Sequence, residues 1–139
     1  MLVLDTDHLS ELDRWSSAGI SLDRRLEASG DEVATTIISA EEQLRGWLVL
    51  IRGQQDPHLS IPLSSRLHGR IEYFANGLVL PWDSEAADAM LQLRTQRIRV
   101  GTLDLRTASI VLTRGALLLS RNPTGFRKVP NLRVENWLQ

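Results

Sequence analysis

The 139-residue sequence predicts a single α/β domain spanning residues 1–139, built on a central parallel sheet of four to five short strands flanked by helices. Three observations carry that expectation. Short apolar runs bounded by turn residues recur along the chain, each followed by segments of helical periodicity, the order that a parallel sheet requires. A 42% hydrophobic share over this length supplies one packed core and no second domain. With 24% charged residues, 9 glycines, 5 prolines and no low-complexity stretch or internal repeat, the chain is not a disordered one.

In chain order, Met1-Leu-Val-Leu4 is an apolar run that ends at acids and reads as a buried strand. Residues 7–15 and 21–28 read as helices with turn residues between them, and Asp31-Glu32 mark a turn. Val33 to Ile38 (VATTII) is β-branched and strand-like. Ser39-Ala-Glu-Glu42 then opens a helix whose apolar stripe is Leu44, Leu48 and Ile51, broken by Gly53 to Pro57. A helix over Leu59 to Phe74 follows, and Asn76-Gly77 turns the chain into the strand Leu78-Val-Leu80. Asp83 caps a helix with Ala86, Met90 and Leu93 on one face. Gly101 or Thr102 opens the next, which ends by Arg114 and Gly115. Ala116 to Leu119 is the fourth strand, and Leu132 to Val134 suits a fifth at an edge.

Composition excludes several classes of function. Without cysteine there is no disulfide framework, thiolate zinc site or cysteine nucleophile. The longest apolar run, Trp47 to Ile51, is far too short to span a membrane, and no basic stretch precedes Leu2-Val-Leu4 as in a secretory signal. A cytoplasmic protein with no membrane partner is expected. The net charge is −1, but it is divided: residues 1–90 hold 15 acids and 7 bases, residues 91–139 hold 9 bases and only Asp104 and Glu135 as acids. All bases but Lys128 are arginine, whose planar fork of donors suits phosphate. Such a C-terminal third fits a nucleic-acid partner, or else interleaves with the acidic part in one fold.

In parallel α/β sheets, ligands bind outside the carboxyl ends of the strands. Asp5, Thr6 and Asp7 follow the first strand; Glu41 and Glu42 follow the second; Asp104 opens the helix before the fourth strand; Ser120-Arg121-Asn122 follow that strand. Carboxylates gathered from three segments repel one another unless a hard divalent cation joins them, and such a cation serves phosphodiester hydrolysis. Each acid also has a structural use. Asp5 suits a helix N-cap, Ser39-x-x-Glu42 is a capping box, and Asp104 suits the positive end of a helix. Asp7, Glu11 and Asp13 are expected on a solvated helix face, His8 at the surface, and the four tryptophans in core or interface packing. Gly46, costing about 1 kcal/mol against alanine in a helix interior, is expected at a close backbone contact.

Taken together, the motifs resemble those of the PIN-domain ribonucleases, and among them the VapC-like toxins of bacterial toxin–antitoxin pairs. Leu2-Val-Leu-Asp5-Thr-Asp7-His-Leu-Ser10 is similar to the family's strand-ending L-D-T-N motif. Ile37-Ile-Ser-Ala-Glu41-Glu42-Gln-Leu-Arg-Gly46 resembles the second acidic motif, whose Glu precedes a Gly by four, which selects Glu42. Val100-Gly-Thr-Leu-Asp104-Leu-Arg-Thr-Ala108 resembles the third. Leu118-Leu-Ser120-Arg-Asn122 with Phe126, Val129-Pro130, Leu132 and Trp137 is similar to the C-terminal T-R-N…F…V-P-G-L…W segment.

The resemblance implies a PIN-like fold and a toxin that cuts RNA as an endoribonuclease. Asp5, Glu42 and Asp104 would hold Mg²⁺ or Mn²⁺ and carry catalysis, with Thr6, Asp7, Ser120 and Asn122 in support. It also implies a small cognate antitoxin that sets a chain segment against the acidic pocket, near residues such as Trp15 and Trp47, and a homodimer. The chain departs from the pattern where many members carry an acid just before the Phe, since Gly125 stands there. Other members place an acid at the position of Asn122, which adds no charge. Asp7, replacing the usual Asn, is a candidate to restore it. Of the arginines, Arg94, Arg97, Arg99, Arg106 and Arg121 are close in sequence to the Asp104 and Asn122 segments and are candidates to border the acids. Two alternatives stand beside this reading. One is a PIN fold retained for binding RNA or protein without cutting. The other is a haloacid-dehalogenase-like phosphatase, suggested by Asp5-x-Asp7 but without the late acidic pair such enzymes use.

Overall fold

The computed structural model describes residues 1–138. Strand β1 (Leu2–Leu4) is followed by helices α1 (Thr6–Arg14) and α2 (Ser17–Ser29), then β2 (Val33–Thr36), α3 (Ile37–Gly53) and α4 (Ser60–Asn76). Strand β3 (Val79–Leu80), α5 (Ser84–Thr95), α6 (Thr102–Thr113), β4 (Leu117–Leu119), the single turn α7 (Pro123–Phe126) and β5 (Arg133–Glu135) complete the order. The five strands form one sheet in the order β3-β2-β1-β4-β5, and every neighbouring pair is parallel.

Both faces of the sheet are buried at β1 and β4, which is why those strands are apolar without alternation, whereas edge strand β5 alternates around the buried Val134. Val3, Ala34, Leu118 and Val134 meet α5 and α6 through Met90, Leu93, Ala108, Ile110 and Val111. Leu2, Leu4 and Leu119 point the other way onto Leu9, Leu22 and Leu26 of α1 and α2. Successive strand residues face opposite sides, so the three-residue strand Leu2–Leu4 serves both cores. Gly115, at φ +59°, ends α6 in the left-handed region and releases the chain into β4. Gly19 lets α2 cross α1 closely; a Cβ there would run into the carbonyl of Glu11.

Several expectations change in three dimensions. The second strand stops at Thr36, and Ile37-Ile38 already belong to α3. Thr36 is the N-cap, its hydroxyl accepting from the Ser39 N–H at 3.2 Å, so Ser39-x-x-Glu42 is not a capping box. A β-branched stretch that continues into a helix hides this boundary, because Val, Thr and Ile favour strands locally. His8 is fully buried rather than at the surface, and Glu11 is buried with it. Asp13 is not solvated either: Arg66 and the buried Arg70 of α4 both pair with it. Of the tryptophans, Trp137 packs against the Leu2, Leu4 and Leu9 cluster beneath Arg25, Trp15 and Trp82 are exposed, and Trp47 and Trp82 sit beneath Arg66 and Arg106. Gly46 makes no close contact, with nothing within 4 Å of where its Cβ would stand. The turn α7, with no apolar period of its own, was not anticipated. Among the described residues no helix is long and apolar enough to cross a membrane.

Candidate active site

The chain winds outward from β1 to β2 and β3 on one side, then returns to place β4 and β5 on the other. The reversal lies between β1 and β4, and a crevice forms at such a point outside the carboxyl ends. Asp5 sits there, the first residue past β1. Its N–H donates to the Leu119 carbonyl at 3.0 Å, continuing the β1–β4 pairing, and its carboxylate caps α1 by accepting from Thr6 N–H at 2.9 Å. Two hydroxyls also donate to it: Ser120 to Oδ2 at 2.8 Å and Ser39 to Oδ1 at 3.4 Å. The Ser120 hydroxyl in turn accepts from Asn122 N–H at 3.1 Å, so its proton is directed at Asp5. Capping and site roles therefore coexist in one carboxylate.

Glu42, one turn into α3, accepts from the Thr6 hydroxyl at 2.7 Å, which bridges the ends of β1 and β2. Asp7 is held from two sides. His8 Nδ1 lies 2.6 Å from its Oδ1, and Arg121 N–H donates to Oδ2 at 2.9 Å. The Trp137 N–H donates to His8 Nε2 at 3.2 Å, which leaves the ring proton on Nδ1 to be given to Asp7. A buried imidazole thus couples the first acidic segment to the C-terminal strand's exit.

The electrostatics follow from burial. Asp5 is pushed up to about 6, chiefly by desolvation; hydrogen bonds from Ser120 and Thr6 oppose this, and the charges of Asp7 and Asp104 add to it. Asp104, in the first turn of α6, is also raised, by burial and then by Asp7. For Asp7, burial pushes up, but the His8 and Arg121 hydrogen bonds outweigh it and hold the carboxyl below its ordinary value. Asp7 is thus the most readily ionised of the three, and its charge adds to the burial that raises the other two.

Asp104 lines a second cleft of about 370 Å³ with Asn122, Gly125, Arg99 and Lys128. Of the arginines singled out by sequence, Arg99 borders the acids here and Arg121 reaches Glu11 at 3.1 Å, while Arg106 turns to Trp82. Asn122 caps α7, its Oδ1 accepting from Gly125 N–H at 3.2 Å, and a Cβ on Gly125 would collide with that amide. Asn122 therefore occupies the space that a side chain at position 125 would enter. Sequence reasoning missed Ser39 and Lys128. Ser39 was absorbed by the capping box, and Lys128 lies in a segment without periodicity.

The structure thus brings Asp5, Asp7 and Asp104 into one another's fields and ties Glu42 to them through Thr6. Among the described residues, no three acidic or imidazole side chains are gathered tightly enough to hold a cation as they stand.

No protein-family model matches the sequence, and no curated protein matches it. Solved structures do. DNA-bound VapBC from Salmonella typhimurium superimposes with a TM-score of 0.75 at 20% identity, covering 98% of this chain and 97% of that chain. FitAcB from Neisseria gonorrhoeae gives 0.72 at 20% identity, over 99% and 98%. VapBC2 from Rickettsia felis, bound to a DNA fragment from its promoter, gives 0.71 at 20% identity, over 98% of each chain. At this identity the likeness is one of architecture: the chain has the PIN-like α/β fold that its four motifs resemble, shared with structures of toxin–antitoxin systems.

Proposed function

We propose that the protein is the toxin of a toxin–antitoxin pair, an endoribonuclease that hydrolyses RNA phosphodiester bonds with Mg²⁺ or Mn²⁺. The observation that carries this reading is that Asp5, just past β1 at the β1–β4 reversal, lies within electrostatic reach of Asp7 and Asp104, the last of which lines a cleft walled by Arg99 and Lys128. Acids that attract a cation next to bases that attract phosphate are what RNA cleavage requires. The fold shared with VapBC and FitAB structures supports it, and a small antitoxin and a second copy of the chain are the protein partners it suggests.

The residues suit a hard divalent cation. The candidate ligand atoms of Asp5, Glu42 and Asp104 are all carboxylate oxygens, and the Asp5 carboxyl, buried near like charges, is in the state that a cation relieves. Asp5, Glu42 and Asp104 would hold the ion, with Asp7 adding charge; an ion that keeps several waters needs few direct carboxylates. When bound, it supplies positive charge to the phosphate and to the departing oxygen. The chain's own groups do the positioning. Ser39, Ser120 and the Thr6 N–H hold Asp5, the Thr6 hydroxyl holds Glu42, and His8 with Arg121 holds Asp7. Arg99 and Lys128 draw the phosphate backbone toward Asp104.

A second reading, a PIN fold kept for binding alone, is favoured by the absence of an acid at Gly125, whose side-chain space the uncharged Asn122 amide takes. One experiment separates the two. Antitoxin-free protein is incubated with tRNA and ribosomal RNA across Mg²⁺ and Mn²⁺ titrations, with Asp5→Asn and Asp104→Asn alongside. Metal-dependent cutting lost in both variants supports the nuclease; RNA binding without cutting at any metal concentration supports the binding module.

A further inference from the structure

We propose that Trp137 is a positioning residue of the acidic site: seated just past β5, it acts through the buried ring of His8 to hold the Asp7 carboxylate where its charge serves the cation. This rests on the metal-dependent reading above and adds to it a residue remote from the rim.

His8 is fully buried in α1, beside the buried Leu9, yet it is polar. Filling that space calls for an apolar side chain, since an imidazole there costs desolvation unless its nitrogens find partners. Both do, and from segments far apart in the chain. Nδ1 lies 2.6 Å from Asp7 Oδ1, and Nε2 accepts from the Trp137 N–H at 3.2 Å. Side chains at adjacent helix positions do not ordinarily face one another, so this bond marks a carboxylate turned toward the protein interior. With Arg121 N–H on its other oxygen at 2.9 Å, Asp7 has both oxygens engaged and little rotamer freedom left to lose when an ion arrives.

Trp137 is itself fixed, which makes its N–H a reference point. Its indole N–H donates to Glu135 at 2.7 Å, the Arg25 guanidinium lies 3.9 Å from its ring centre, and it packs against the Leu2, Leu4 and Leu9 cluster. The same segment reaches a second acid. The Glu135 carbonyl accepts from Ser120 N–H at 2.9 Å, and the Ser120 hydroxyl donates to Asp5. Glu135 and Trp137 thus stand one link behind Asp5 and Asp7 respectively. A segment whose only task was to close the sheet would need the Glu135 bond. It would not need a buried histidine that hands a proton to the site.

The test uses the full chain and reads two things. In metal-free, isotope-labelled protein, the ring-nitrogen shifts of His8 are expected to show the proton on Nδ1 and none on Nε2. By calorimetry, Trp137→Ala and His8→Gln are expected to weaken Mn²⁺ binding roughly tenfold, the scale of losing a group that orients a metal-site residue. His8→Gln still offers an acceptor to the Trp137 N–H but no donor to Asp7. Trp137→Phe keeps the backbone N–H and an aromatic ring, His8→Asn keeps the donor to Asp7, and both are expected to stay within about threefold of the parent. In an Asp7→Asn background none of the four is expected to lower the affinity further, because the route to the site is already cut. A loss of the same size with and without Asp7 makes Trp137 and His8 merely structural and overturns the inference. So does unchanged Mn²⁺ affinity in folded variants, or a His8 proton found on Nε2. If Trp137→Ala does not fold, the paired His8 variants and the ring tautomer decide. A parent that binds no Mn²⁺ defeats the metal-dependent reading and the inference with it. An Asp7-dependent loss of affinity in protein that never cuts RNA defeats the nuclease reading and leaves the inference standing.

Discussion

Replacing Asp5 by asparagine is expected to abolish cutting while making the metal-free protein more stable at neutral pH. Asp5 has its carboxyl raised from 3.8 to about 6 by burial among like charges. The sign follows from linkage: a carboxyl raised in the folded state costs stability as pH climbs from its unfolded value through its folded one, and the full cost is present above about 6. A shift of that size corresponds to about 3 kcal/mol at most, at 1.36 kcal/mol per unit. Asparagine removes the charge and keeps the N-cap, its carbonyl accepting from Thr6 N–H, at the loss of the Ser120 bond to the second carboxylate oxygen. For a domain of this length the expected rise in melting temperature is on the order of 5–10 °C at pH 7.5. The assay is thermal unfolding in chelator at pH 4 and pH 7.5, repeated with Mn²⁺. The gain should shrink toward zero at pH 4, where the parent's Asp5 is protonated, and Mn²⁺ should stabilise the parent and not the variant. An Asp5→Asn protein that melts lower at pH 7.5, or whose gain is the same at both pH values, refutes the electrostatic account of the site.

Asp7→Asn is expected to weaken Mn²⁺ affinity while lowering the Asp5 and Asp104 carboxyls only in part, because burial is the larger cause of their rise and the Asp7 charge adds to it; unchanged affinity by calorimetry would show that Asp7 contributes no charge to the metal site. His8→Ala is expected to cost about 2–5 kcal/mol in denaturant unfolding, since it opens a cavity at a fully buried position and leaves the Trp137 N–H and one oxygen of Asp7 without their partner. Gly125→Asp alone is expected not to raise metal affinity, since its Cβ displaces the Asn122 amide that caps α7; a tighter metal titration in that single variant would show that Asn122 yields easily.

Much of this protein was determined by local sequence. Apolar runs too short and too uniform to be amphipathic strands required a sheet covered on both faces, and Leu2–Leu4 became its central strand with Leu117–Leu119 beside it. Asp5, Asp7 and Asp104 could be placed near one rim because strand ends and helix starts are marked by residue type. Only the tertiary structure decided how those residues are used. Whether Ser39 caps a helix or donates to Asp5 depends on where β2 stops, and a β-branched stretch leaves that point ambiguous locally. His8 reads as a surface residue until Trp137, at the far end of the chain, is packed against it. Gly125 reads as open to a larger side chain until the Asn122 amide is found in its space. Composition and periodicity report which face of an element is apolar. Ionisation, hydrogen-bond direction and free volume are set by groups brought together from distant segments, and these exist only once the chain has folded.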